Sequence, residues 1–260
     1  MPSNYAHYRF GTEMLKLMPG DIRRTANRFR RLYDMGLHGP DVFYYYNPLY
    51  QTKIGDLGNR LHKQSGDDFF MRICRTLRME PSEAGEAYLY GALAHYCLDS
   101  GCRAYFLEKV QQEVSRTALE AEFDRFLLEK DGKISVRKRD VSLHMQLTGE
   151  ECEIIARLYS GIKAGQIQTA VKNMARMTKL SAVSEGAQRR FFEKGGGRFF
   201  RNRTKTGEPE EEDSGYACSN AELFACYQKA AEQFPEQLEK MSAHLTYNAP
   251  LGGTFTADFL

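Results

Sequence analysis

AYLYGALAHYCLDSGC, residues 87–102, is the stretch that decides the architecture of this chain. It follows Pro81-Ser82-Glu83, a helix-opening signature, and is apolar on nearly every side from Ala87 to Leu98. Those twelve residues fall well short of the roughly 20 that a membrane span needs. A helix that is greasy all round belongs in a protein core. Yet His95 and Asp99 lie within it four residues apart, stacked on one face. A carboxylate left unpaired in such surroundings is costly. Either a buried ion pair or hydrogen-bonded histidine neutralises it, or a metal ion does, and spacing alone leaves both open.

Working outward, helical periodicity dominates. Ile22, Ala26, Phe29 and Tyr33 predict one amphipathic helix that starts at Pro19-Gly20-Asp21 and stops before Gly36. Phe70, Ile73, Cys74 and Leu77 predict a second, and Leu119, Phe123, Phe126 and Leu127 a third. Thr148 with Glu151, and Ser219 with Glu222, read as capping boxes opening two later helices. Pro235 is expected to kink or divide the last of these. No sustained period-2 alternation occurs, so the expectation is an all-α fold, a single multi-helix domain over residues 1–260. Gly186 to Tyr216, with three successive glycines, a basic stretch and an acidic run, is expected to be a long surface loop within it.

The totals exclude more than they assign. With 36 Lys and Arg against 34 Asp and Glu, the formal net charge of +2 gives no overall pull toward nucleic acid or anionic membrane. Six scattered cysteines without a CxxC pair, and an N-terminus lacking an apolar signal segment, predict reduced thiols and a cytoplasmic location.

Other histidines and carboxylates lie beside turns or apolar segments. Asp41 follows Gly39-Pro40 and precedes the run Val42-Phe43-Tyr44-Tyr45-Tyr46; its plainest role would be a helix N-cap. His62 stands in LGNRLHKQ, and His7 in a short helix with Tyr5, Phe10 and Met14. Asp41, His62, His95 and Asp99 together would make a two-nitrogen, two-oxygen set suited to zinc. His38, His144 and His244 show no partner spacing and read as surface or packing residues.

The order His7, GLHGPDVFYYY, LGNRLH, AYLYGALAHYCLDS and ALEAEFDRFL resembles the zinc-dependent phospholipase C family, over about the first half of the chain. Fungal single-strand nucleases share that family's architecture. The resemblance implies an all-α fold enclosing a trinuclear zinc cluster, with His7, Asp41, His62, His95, Asp99 and Glu120 at the family's ligand positions. Two positions depart from the pattern. Arg103 stands where the family places a histidine after the HxxxD aspartate, and Arg116 stands where its HxxxE motif begins. Arginine keeps its proton and has no lone pair for zinc. One or two zinc ions are therefore expected, with the third site replaced by Arg103 and Arg116 pairing with Glu120. The family also uses its processed amino terminus as a ligand, which here would require Met1 to be removed from Pro2.

The function this implies is hydrolysis of a phosphodiester or phospholipid headgroup, with Asp41 or Asp99 doubling as base and Arg103 facing the substrate phosphate. The alternative is a non-catalytic helical scaffold that binds a phosphate-containing ligand or a protein. Arg189, Arg190, Lys194, Arg198, Arg201, Arg203 and Lys205 interleave with Phe191, Phe192, Phe199 and Phe200, a pattern that can track single-stranded nucleic acid. The acidic run from Glu208 would cancel much of that field, so a self-paired loop is expected there instead.

Overall fold

A computed structural model of the chain describes residues 4–112, 114–132, 142, 144–181 and 214–259. Among these residues the architecture is all-α, with no strand. The helices are α1 (Asn4–Leu17), α2 (Gly20–Arg28), α3 (Arg30–Gly36), α4 (Lys53–His62), α5 (Gly66–Met79), α6 (Glu83–Gln111), α7 (Arg116–Lys130), α8 (Gly149–Leu158), α9 (Ala164–Ser181) and α10 (Ser214–Tyr247). Two 3-10 turns, Gly39–Tyr45 and Gly253–Thr256, complete the set.

The helix α6 is the axis of the fold. Ser82 caps it by accepting the Gly85 amide at 3.1 Å, and every residue from Ala87 to Asp99 is buried. Around it pack α1, α2, α3, α5, α8 and α10. The buried apolar side chains, from Tyr5 to Phe259, form one cluster. Burial leaves the α6 tyrosines needing partners, and they have them. Tyr88 shares a hydrogen with Tyr159 at 2.7 Å, while the Tyr96 hydroxyl lies 2.7 Å and 2.9 Å from the carbonyl oxygens of Thr254 and Ala257.

Several sequence-level expectations need correction. The single helix expected from Gly20 to Gly36 is two, broken at Phe29, whose φ of −110° and ψ of 45° leave the helical region. The break re-aims α3 so that it lies backbone to backbone on α6. A Cβ on Gly91 would fall 2.1 Å from the Tyr33 carbonyl oxygen, and one on Gly36 would fall 2.3 Å from the Tyr88 carbonyl oxygen. Only glycine at both positions permits this approach. The capping box of Thr148 and Glu151 is present as expected, but Ser219 opens nothing, because α10 is already running at Ser214. Ser219 and Asn220 are buried instead, Asn220 donating to Glu122 of α7 at 3.1 Å, so tertiary packing overrides the local cap signal. The same helix passes Pro235 undivided, with Phe234 and Leu238 both buried beside it. Met1, Pro2 and nearly all of the surface loop expected at 186–216, with its basic and aromatic residues, lie outside the described residues.

Candidate metal centre

Four elements carry the candidate ligands to one place. His7 comes from α1, whose first-turn amides at Tyr5 and Ala6 donate to the Asp124 carboxylate of α7 at 3.1 Å and 2.9 Å. Asp41 comes from the 3-10 turn after α3. Gly39 opens that turn at a φ of +45°, and a Cβ there would lie 2.8 Å from the His95 ring, so the turn can sit directly on His95 only with glycine at this position. His62 is the last residue of α4. His95 and Asp99 project from one face of α6, as their spacing requires.

The ligand atoms fall into two groups that share His95. In one, His7, His95 and Asp99 offer atoms all within 4.8 Å of one another; in the other, Asp41, His62 and His95 do the same. The anticipated four-residue set is therefore divided: Asp41, His62 and His95 fall together, while Asp99 falls with His7 and His95. Within that second triad Asp99 Oδ1 lies 3.1 Å from His7 Nε2 and its Oδ2 3.1 Å from His95 Nε2. Asp41 Oδ1 is 2.8 Å from His62 Nε2.

Short as these distances are, none is a directed hydrogen bond. Among the described residues, both ring nitrogens of His7, the Nε2 atoms of His62 and His95, Asp41 Oδ1 and both Asp99 oxygens are buried without a hydrogen-bond partner. Native proteins rarely leave so many buried polar atoms unsatisfied in one spot. The far sides of two rings explain the arrangement. His62 Nδ1 is 2.7 Å from the Gly58 carbonyl oxygen and His95 Nδ1 is 3.1 Å from that of Leu37. A carbonyl can only accept, so each Nδ1 carries a proton, and Nε2 is the ring atom left to face the centre, with a lone pair when the ring carries no second proton. This is the tautomer and orientation that a metal-binding histidine adopts. A lone pair facing a carboxylate oxygen at about 3 Å is repulsive unless a metal ion or a second ring proton lies between them.

Electrostatics agrees with a cation-hungry site. Burial pushes Asp99 up, but the nearby His95 and His7 outweigh it and hold the carboxyl far below its usual range. Asp41 behaves alike: burial raises it, and contact with His62 and then His95 lowers it further. His7 is lowered, by burial first and by His95 second, and its ring stacks on that of His95 at 4.2 Å. Burial pushes His95 down, but Asp99, with Asp41 and the Leu37 carbonyl behind it, together outweigh burial and raise the ring.

These directions set a pH dependence for the metal-free protein. His7 and His38 are both lowered, so below the ordinary imidazole value of 6.5 the unfolded chain takes up protons that the fold refuses. His95 is raised and acts on the other side of 6.5, contributing stability that is full below 6.5 and lost as pH rises through its folded value. The two sets act in different ranges, so stability should peak near 6.5 and decline on the acid side by about 1.4 kcal/mol per pH unit for each of the two groups, His7 and His38. Denaturation of chelator-treated protein across that range checks it; a curve rising toward acid would contradict it.

Two arginines stand beside the centre. Arg116 Nε lies 2.9 Å from Glu120 Oε1, as expected, and its guanidinium stands over the Phe106 ring. Arg103 meets Asp258 at 2.5 Å, a partner from the far end of the sequence that the motif reading did not foresee. Asp99, Arg103, Arg116, Phe106, Val110 and Phe259 line one small pocket.

Sequence reasoning also missed residues around the centre. His38 is buried, not superficial, and its Nε2 lies 2.8 Å from His144 Nε2. Burial chiefly, then His144, His7 and His95, holds its ring neutral. Its place three residues before Asp41 was the available signal. His244 is a packing residue, donating from Nδ1 to the Ala249 carbonyl at 2.6 Å. Tyr44 places its hydroxyl 3.0 Å from His62 Nδ1, and Phe259 packs against the His62 and His95 rings with centroids 5.6 Å and 5.8 Å away. Among the described residues no helix is long and apolar enough to cross a membrane. The chain matches no family model, no curated protein and no solved structure.

Proposed function

We propose that this protein is a metal-dependent phosphodiesterase similar to zinc-dependent phospholipase C, working with two zinc ions where that family uses three. The observation that carries the reading is the pair of imidazoles, His62 and His95, each tied at Nδ1 to a carbonyl and turned at Nε2 toward an unpartnered carboxylate oxygen. An imidazole nitrogen has one lone pair, whereas a carboxylate has two oxygens, so Asp99 is the residue able to serve both positions. On this reading Asp41, His62 and His95 would hold one ion and His7 another, with Asp99 available to both. The donor set of nitrogen and oxygen fits zinc.

Ions held in this way would acidify a water and offset negative charge on phosphoryl oxygens. The chain's own residues do the rest. Asp41 is the one ligand with measurable exposure, its side chain 16% accessible, which puts it where a proton can be accepted from incoming water. Arg103 and Arg116, lining a pocket together with Asp99, supply fixed positive charge for a phosphoryl group.

A second reading, a scaffold that binds a phosphate-containing ligand or a protein without turnover, is favoured by Phe259, which closes one side of His62 and His95. Elemental analysis of protein purified without chelator, paired with release of nitrophenol from bis(4-nitrophenyl) phosphate, separates the two. Zinc with turnover supports the enzyme, and zinc without turnover supports the scaffold. Protein from zinc-replete culture that carries no metal would remove both ions from the account.

A further inference from the structure

The segment after α10 returns across the molecule and ends against the candidate centre. Its anchor is Phe255, fully buried and stacked on Tyr96 with ring centroids 5.5 Å apart. The Gly66 amide donates to the Ala257 carbonyl at 2.8 Å, and the Phe259 amide donates to the His62 carbonyl at 3.2 Å. Beyond that anchor, two side chains reach the pocket. Phe259, 1% exposed, lies on His62 and His95 and forms part of the pocket wall. Asp258 places its carboxylate on Arg103 at 2.5 Å.

An anion bound to a guanidinium beside an apolar ring is the pattern of a ligand, made here from the chain itself. Arg103 and Arg116 line the same pocket as Phe106, Val110 and Asp99. Planar guanidinium groups accept carboxylate and phosphate oxygens by the same paired N–H geometry, so one can replace the other. The Arg103 and Asp258 side chains are 35% and 29% accessible, and an ion pair so open to solvent is weak enough for a competing anion to displace. Phe106, Val110 and Phe259 then offer an apolar neighbour to whatever group the anion carries.

We propose that the pocket on Arg103 is a binding subsite for a phosphate anion bearing an apolar substituent, and that Asp258 and Phe259 occupy it from within as an internal plug. The inference deepens the phosphodiesterase reading, since it names what lies beside the candidate ions. It does not need those ions to be tested. The plug holds the subsite closed until a ligand phosphate takes Arg103 from Asp258 and the Phe259 ring swings off the two histidines.

The test uses the full chain, chelator-treated, with inorganic phosphate and phenyl phosphate as probes. Asp258→Asn removes the internal anion while keeping the shape, and should tighten phenyl phosphate binding by about tenfold, the scale of one charge-assisted hydrogen bond. Phenyl phosphate should bind more tightly than inorganic phosphate, and adding Arg103→Gln should return the affinity to that of the parent protein. An unchanged affinity in a D258N protein that melts normally would overturn the proposal. Phe259→Ala gives a second route that holds even if D258N fails to fold. Carbethoxylation of His62 and His95, read by mass spectrometry, should rise in F259A while His244 stays as in the parent. Protection unchanged at both histidines would also overturn it. Because both readouts are taken without metal, a failure of the enzyme reading leaves them interpretable.

Discussion

Asp99→Asn should empty both candidate ion positions at once and lower phosphodiesterase turnover by more than about 100-fold, since even residues that only orient a metal's ligands cost 10- to 100-fold. The size of the effect follows from which atom faces which. Asp99 Oδ1 is 3.1 Å from His7 Nε2 and Oδ2 is 3.1 Å from His95 Nε2, so one carboxylate serves two histidines. Asparagine keeps the shape and therefore the packing of α6. It removes the negative charge, and it turns one of the two oxygens into an amide whose hydrogens point at a lone pair. Asp41→Asn touches one triad and should cost one ion, leaving His7 and Asp99 Oδ1 as they are. The measurement is zinc per chain in each variant, with the shift in melting temperature on adding chelator as a second readout. A D99N protein that keeps the parent's zinc content would sink the bridging role. A D99N protein that is merely less stable, in a parent carrying no zinc, would mean that the carboxylate is a buried ion pair with two histidines. Breaking such a pair costs about 3–5 kcal/mol.

How much of this was legible beforehand depends on the range over which each relationship acts. His95 and Asp99 were legible because helical geometry alone puts residues four apart on one face. His7, Asp41 and His62 were legible as residues of the right chemistry in suspicious places, but that they meet is a property of four packed elements. The Arg116 and Glu120 pair is again local, four residues apart on α7, and was foreseen. Arg103 and Asp258 are separated by 155 residues, and no periodicity joins them. His38 was passed over because its partner, His144, is 106 residues away. In the fold, the capping box at Thr148 was readable and present, while the matching signal at Ser219 lost to burial against α7. The break at Phe29 carried no glycine or proline to announce it. Its cause is tertiary: α3 must leave the line of α2 to bring Gly36 onto Gly91.

That contact sets the second large effect. Gly91→Ala should destabilise the protein by about 3 kcal/mol or more, at or beyond the upper end of what overpacking a core usually costs. The added Cβ would stand 2.1 Å from the Tyr33 carbonyl oxygen and 2.9 Å from the Gly36 Cα. Both are backbone atoms, which cannot rotate aside as a side chain can, so α3 has to move away from α6 as a body. The consequence reaches the site because the chain runs from Gly36 through Gly39 directly into Asp41, while His95 lies one helical turn beyond Gly91. Moving α3 outward therefore draws Asp41 away from His95 and loosens the triad with His62, whereas His7 and Asp99, held by α1 and α6, keep their places. Whatever fraction of G91A folds should bind zinc at one position with lowered affinity and at the other nearly as before. Gly165→Ala in the first turn of α9 supplies the control, since nothing lies within 4 Å of a Cβ there and the same chemical change should be neutral or mildly stabilising. Urea unfolding of the two variants checks the contrast. Equal midpoints would mean that α3 and α6 are not in backbone contact, and the support that places Asp41 over His95 would fall with it.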